Sequence, residues 1–321
     1  MNDRPDPPAS GPQAEADWEH KLLKRFAYDV LREQRSARRW GIFFKLALLV
    51  YVLGIFIVSW QGSSPGAFVS ADRITAVVDL QGVIAPDTQA SADTIVTGLR
   101  KAFEDPRTRG VILRINSPGG SPVQSGYIND EIYRLKKKFP KVPLYAVLQD
   151  ICASGGYYVA VAADEIYADK ATIVGSIGVR MDGFGFVEAL EKLGVERRLL
   201  TSGEHKAFLD PFSPLKQEEV EHVSGLLQEI HQQFINTVKR GRGDRLKQGV
   251  DYFNGYVWSG ERGLELGLVD GLGSASYVAR EIIGAEDIVD FTLHENVLQQ
   301  VSRRFGATLA ATLREKLSVS W

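Results

Sequence analysis

Three short stretches of this sequence carry residues that can do nucleophilic chemistry. In "CASGGYY", residues 152–158, Ser154 stands directly before a glycine pair, so the N–H of Gly155 follows a hydroxyl with no side chain between them. In "NSPGGS", residues 116–121, Gly119 and Gly120 form a second turn of the same kind. Glycine turns that lead from a strand into a helix expose backbone N–H groups able to hold an anion or a developing oxyanion. Each also has a plain reading, an N-cap serine in one case and an ordinary strand-to-helix turn in the other. Neither fits the GxSxG elbow or the phosphate-binding P-loop.

A serine hydroxyl attacks a carbonyl only when a base takes its proton. The histidines are His20, His205, His222, His231 and His294. His20 precedes a long apolar segment, His222 and His231 fall on a polar-rich helical stretch where surface positions are expected, and His294 lies far along the tail. That leaves "TSGEHKAFLDPFSP", residues 201–214, where His205 and Lys206 are neighbours. A lysine can serve only if its ordinary pKa of about 10.4 is lowered, chiefly by desolvation. The single cysteine, Cys152, excludes an intramolecular disulfide and reads as a small buried packing residue.

The elements that must position these residues alternate. "ITAVVDLQGVI" is a β-branched strand from about residue 74, "SADTIVTGLRKAFEDP" a helix, and "GVILRINSPGG" a buried strand ending in the first glycine turn. "VQSGYINDEIYRLKKKF" is a helix and "VPLYAVL" a strand; a short helix follows Ser154 and leads to the strand "EIYA". Such alternation argues for an α/β fold with mainly parallel pairing. Later come the amphipathic helix "KQEEVEHVSGLLQEIHQQFINTVKRGR" and a helix candidate over about 294–317. With 44% hydrophobic and 24% charged residues and a net charge of -2, the composition is globular and offers no surface for nucleic acid.

Residues 41–60, "GIFFKLALLVYVLGIFIVSW", are apolar apart from Lys45 and long enough to cross a bilayer core of roughly 30 Å. Trp40 and Trp60 bracket them, and Arg32, Arg35, Arg38 and Arg39 precede them, while "QGSSPGAFVSAD" beyond has no basic residue. The expectation is an uncleaved single-pass anchor with a cytoplasmic N-terminus and everything from about residue 61 across the membrane. The organisation read from the chain is a cytoplasmic segment over 1–40, the anchor over 41–60, a linker over 61–72, a catalytic domain over 73–285 and a helical segment over 286–321.

"NSPGG", "ASGGYY", "GSIGV" (175–179), "SGEHKAFLDPFSP" and "GYVWSGERGLELGLVDGLG", in this order behind one anchor, resemble the signal peptide peptidase A family in its short, single-domain form. The resemblance spans about residues 74–275. It implies a Clp protease/crotonase-like α/β fold with flanking helices, in a bacterial inner-membrane serine peptidase whose catalytic domain faces the periplasm. By position it implies Ser154 as nucleophile, Lys206 as general base, Ser176 as the residue that orients the lysine, and an oxyanion hole from Gly120, its neighbour Gly119, and Gly155. It calls for no metal and no cofactor. The partners it implies are cleaved signal peptides, the lipid bilayer and further copies of the chain, in a ring or dome (an octamer is one candidate) with the dyad shared between protomers. His205 departs from the aromatic residue the family often carries there. The alternative within the same chemistry is a membrane peptidase that cleaves hydrophobic segments of stomatin-type proteins. Outside it stand a crotonase-like acyl-CoA enzyme and a catalytically silent scaffold.

Overall fold

The computed structural model describes residues 24, 28, 38–55 and 71–293. Residues 38–55 are helical. Among the described residues no helix is long and apolar enough to cross a membrane. Residues 56–60 of the expected span, like His20 and His294, lie outside the described residues.

The rest is a mixed α/β body built on one sheet in the order β6-β5-β3-β2-β1-β8, with β4 on β3 and β7 on β4. The strands are β1 (Ile74–Gln81), β2 (Thr108–Ser117), β3 (Leu144–Ala153), β4 (Glu165–Ala168), β5 (Ile173–Gly175), β6 (Val257–Ser259), β7 (Gly271–Leu272) and β8 (Ile288–Asp290). Every pairing is parallel except that of β5 with β6. A parallel sheet needs cover on both faces, which is why its central strands are nearly continuous apolar runs. Val78, Leu80, Val111, Leu113 and Ile115 face a large cluster. Val77, Ile112 and Val147 face a smaller one closed by Val278 and Ala279 of a π-helical turn over Val278–Ile283. Helices α1 (Ala92–Glu104) and α2 (Pro122–Lys138) supply Ile95, Leu99, Ile128 and Ile132 to the larger cluster. This arrangement fits the Clp protease/crotonase-like fold expected from the sequence.

One irregularity shapes the region around Ser154. Ile115 pairs with Leu148 and Ser117 with Cys152, so β2 advances two residues (115 to 117) while β3 advances four (148 to 152). The Asn116 side chain fills the mismatch: its Nδ2 donates to Asp150 Oδ2 at 2.9 Å and its Oδ1 accepts the Ile151 N–H at 3.3 Å. Extra residues of this kind bend a strand and re-aim the side chains beyond the bend. Before the bulge β3 pairs with β4 through Tyr145–Val147; after it, with β5 through Ile151–Ala153. The run "VPLYAVL" therefore continues as strand well past its expected end.

Behind Ser154, helices α3 (Gly155–Ala160) and α5 (Gln217–Arg242) complete the body; α4 (Val187–Lys192) lies between them in sequence and buries none of its side chains. Arg242, 2% exposed, gives two hydrogen bonds to the Asp270 carboxylate and a third to the Gly267 carbonyl. Within the segment expected to be helical from residue 286, Ile288–Asp290 instead form β8 beside β1. A β-branched pair there covers an otherwise open sheet edge, and a tertiary partner outweighs local propensity. The remainder of that segment, 294–321, lies outside the described residues.

Candidate active site

Ser154 leaves β3 with φ 51° and ψ −121°, a conformation that costs a non-glycine residue on the order of 1–3 kcal/mol unless its surroundings impose it. They do: its N–H donates to the Gly175 carbonyl at 2.8 Å, and its own carbonyl accepts the Tyr158 N–H at 2.9 Å. The side chain makes no capping hydrogen bond to α3. The plain reading of Ser154 as a helix-capping side chain therefore fails. The two tyrosines beyond the glycine pair hold that helix: Tyr157 is buried and donates to the Leu268 carbonyl at 2.8 Å, and Tyr158 packs on Phe234 with ring centroids 5.1 Å apart.

Ser176 ends the neighbouring strand in the same way. Ala153 pairs with Gly175 as the last pair of the two strands, and Ser154 and Ser176 are the residues that follow each of them. Both have positive φ, 51° and 53°. The Ser176 N–H is held by the Tyr256 carbonyl at 2.8 Å. Cys152, two residues before Ser154, is fully buried, and burial pushes its thiol pKa far up, which makes it a packing residue as expected.

The first glycine turn lies against the second. A Cβ on Gly119 would stand 2.7 Å from both the Gly155 nitrogen and the Ser154 Cβ, and one on Gly120 would stand 2.1 Å from the Ile84 carbonyl oxygen. Their φ values of 101° and 151° exclude a side chain independently. Gly119 donates its N–H to Ser117 Oγ at 3.1 Å, while its carbonyl accepts the Ile84 N–H at 2.9 Å. In a trans peptide the C=O and N–H point in opposite directions. With the Gly119 carbonyl on Ile84, the Gly120 N–H points away from that segment. The Gly120 nitrogen is 3.2 Å from the position a Cβ on Gly155 would take. The Gly120 nitrogen therefore lies close to Gly155, the residue that follows Ser154.

This geometry has relatives. Residues 136–287 match Peptidase family S49. The "Putative protease slr0021" of Synechocystis sp. is 35% identical over 262 residues, 78% of this chain and 92% of that protein. This chain belongs to peptidase family S49, the signal peptide peptidase A family. The S49 chain is also 31% identical over 220 residues to the "Serine protease SPPA, chloroplastic" of Arabidopsis thaliana, covering 68% of this chain and 32% of that one. It is 42% identical over 225 residues to a Brucella abortus protein named "Na(+)/H(+) antiporter NhaA", again 68% of this chain but only 30% of the relative's length.

Lys206 of the S49 chain is on a separate loop. It is exposed, its N–H donates to the Gly203 carbonyl at 3.2 Å, and among the described residues its ammonium has no hydrogen bond or ion pair, with Ser154 and Ser176 included. His205 beside it is exposed as well. The loop is pinned just after Lys206: the Leu209 N–H donates to Glu219 Oε2 at 3.2 Å, Asp210 pairs with Arg197, and Phe212 stacks on Phe186 at 5.4 Å. The Arg197 and Ser213 hydrogen bonds hold the Asp210 carboxyl down to about 2. His231 corrects the sequence reading. It is half-buried, and its Nε2 lies 3.2 Å from the Ile177 carbonyl oxygen, next to Ser176, because α5 crosses that turn. Sequence reasoning did not single out Ser117, whose hydroxyl reaches the Gly82 carbonyl 35 residues away, or Ser125, which lies against Gly155.

Proposed function

We propose that this protein is a membrane-anchored serine endopeptidase that hydrolyses signal-peptide remnants and other extended apolar peptides through a Ser154–Lys206 dyad. The observation that carries the reading is Ser154 itself, a strained serine that caps nothing and packs against the Gly119–Gly120 turn. Lys206 as the neutral amine takes the Oγ proton while Oγ attacks the scissile carbonyl. The oxygen gains charge and is held by the Gly120 and Gly155 N–H groups, which bind it more strongly than the starting carbonyl. Collapse breaks the C–N bond, and the lysine ammonium returns its proton to the leaving amine. Water, deprotonated by the same amine, then attacks the acyl carbon, and Oγ leaves with the proton that the ammonium returns. Ser176, which follows the strand paired with that of Ser154, orients the ammonium.

The base comes from a neighbouring copy in a homo-oligomeric ring. An amine works as a base here only if shielded from water, and on the single chain Lys206 is exposed. The stretch of chain before it carries exposed apolar side chains: Leu200 is 95% exposed and Phe184 80%. Patches of this kind mark contact surfaces. A second copy on the same arm would cover them and desolvate the lysine together. The anchor over 41–60 and the arginines before it support an extracytoplasmic catalytic domain, where cleaved signal peptides leave the bilayer.

The test is complementation. Ser154→Ala and Lys206→Ala should each abolish peptide cleavage, and His205→Ala should retain most of it. Co-expression of the two inactive chains should restore partial activity, since some interfaces then join an intact serine to an intact lysine. Mixed oligomers with no activity would put both groups in one chain, and turnover by Ser154→Ala would overturn the serine mechanism.

A further inference from the structure

The buried hydroxyl of Ser117 has no part in that mechanism, yet it decides which amide is free. Ser117 ends β2 with no exposed surface. Its Oγ donates to the Gly82 carbonyl at 2.6 Å and accepts the Gly119 N–H at 3.1 Å. A serine hydroxyl has one proton and two lone pairs. The proton is committed to Gly82, so only acceptance remains for the glycine turn. The Gly82 N–H in turn donates to the Asn116 carbonyl at 2.9 Å, so the segment leaving β1 is fastened to the end of β2 at two points. Two residues on, Ile84 holds the Gly119 carbonyl, and its own carbonyl accepts the Ser121 N–H at 2.8 Å. The same serine packs beneath α3, where a Cβ on Gly156 would stand 3.3 Å from the Ser117 Cβ.

We propose that Ser117 is a positioning residue for the oxyanion site: its hydroxyl takes up the Gly119 N–H and thereby makes Gly120, not Gly119, the donor that meets the substrate oxygen. The inference rests on the Ser154 reading above. Both peptides flanking Gly119 need an anchor, one on Ser117 and one on Ile84, because glycine offers little steric resistance to rotation. Remove the hydroxyl, and the peptide before Gly119 loses its partner while Gly82 loses one of its two ties. The Gly120 N–H then samples other directions. Substrate still binds along its length, but the charge that develops on its carbonyl oxygen meets one well-aimed donor in place of two.

The test uses the full-length protein and an apolar fluorogenic peptide, with Ser117→Ala and Ser117→Cys compared. Cysteine keeps the shape of serine with a somewhat larger atom in place of the oxygen, so it leaves no cavity, but its S–H is only a weak hydrogen-bonding group. Loss of an oxyanion donor costs roughly 10²–10³ in kcat, and a misaimed donor should cost about 10–100-fold. Both variants should lose kcat by that factor with KM within about twofold. Affinity for a peptide boronate, whose tetrahedral adduct puts an oxygen in the same place, should fall in parallel. Activity of Ser117→Ala within about threefold of the parent would overturn the proposal. So would full recovery in Ser117→Cys, which would assign Ser117 to packing alone; if Ser117→Ala does not fold, the cysteine variant decides. Ser154→Ala assayed on the same peptide separates the two levels. If it turns over, the serine mechanism falls; if it is dead while both Ser117 variants are fully active, only this inference falls.

Discussion

Gly155→Ala tests the oxyanion geometry with one methyl group. Gly155 is not among the residues with positive φ, so the first position of α3 accepts alanine without backbone strain. The methyl would meet Ser125 Oγ at 2.6 Å and the Gly120 nitrogen at 3.2 Å. The first contact is a packing conflict. Ser125 Oγ can rotate aside, giving up its 3.0 Å bond to the Ser121 carbonyl, at a cost of about 1 kcal/mol. The second contact is with fixed backbone, and it covers the amide assigned to the substrate oxygen. Loss of one such donor lowers kcat by roughly 10²–10³, or about 2.7–4 kcal/mol of transition-state stabilisation. Ser125→Ala in the same chain removes the packing conflict and leaves the second contact in place. The double variant should therefore regain thermal stability without regaining kcat, measured by calorimetry and steady-state cleavage of one peptide. If the double variant recovers activity along with stability, or if Gly155→Ala keeps more than half the parent kcat, the Gly120–Gly155 assignment is wrong.

Asp270→Asn should destabilise the fold by about 3–5 kcal/mol, because it leaves the buried Arg242 guanidinium without its charge partner; urea unfolding reads this directly. Burial pushes the Asp270 carboxyl up, but the Arg242 hydrogen bonds and charge outweigh it and hold the group below the ordinary carboxylate range. A lowered carboxyl contributes stability that is complete above its unfolded value of about 3.9 and is lost as pH falls through the folded value. The gap between parent and Asp270→Asn should accordingly narrow below about pH 4, and a gap independent of pH would refute the ion-pair account. A phosphatase reporter fused after Trp321 should be active and a cytoplasmic reporter in the same place silent; the reverse would overturn the orientation read from the arginines before residue 41.

Some of this protein is written in short runs of sequence. The β-branched run from Ile74, the buried run ending in "NSPGG" and the helical spacing of residues 217–242 each specify their element, because apolar periodicity and turn chemistry act over a few neighbours. The glycines of the two turns were equally legible, as was the single serine before Gly155. The bulge at Gln149–Ile151 was not, since it exists only as a mismatch between two strands and is filled by Asn116 from the other one. Nor were β5, β6 and β8, each of them three residues of pairing with little pattern of its own. Tertiary contacts decided that Ser154 is strained and uncapped, that Ser176 follows the strand paired with its own, and that Ser117 takes the Gly119 amide and leaves that of Gly120 free. They also leave Lys206 exposed on the single chain. Its loop is held by Glu219, Arg197 and Phe186 on an arm that buries little of itself. A motif states which residue types the chemistry uses. Which hydrogen bonds remain unspent around them depends on partners from every segment that folds against the site.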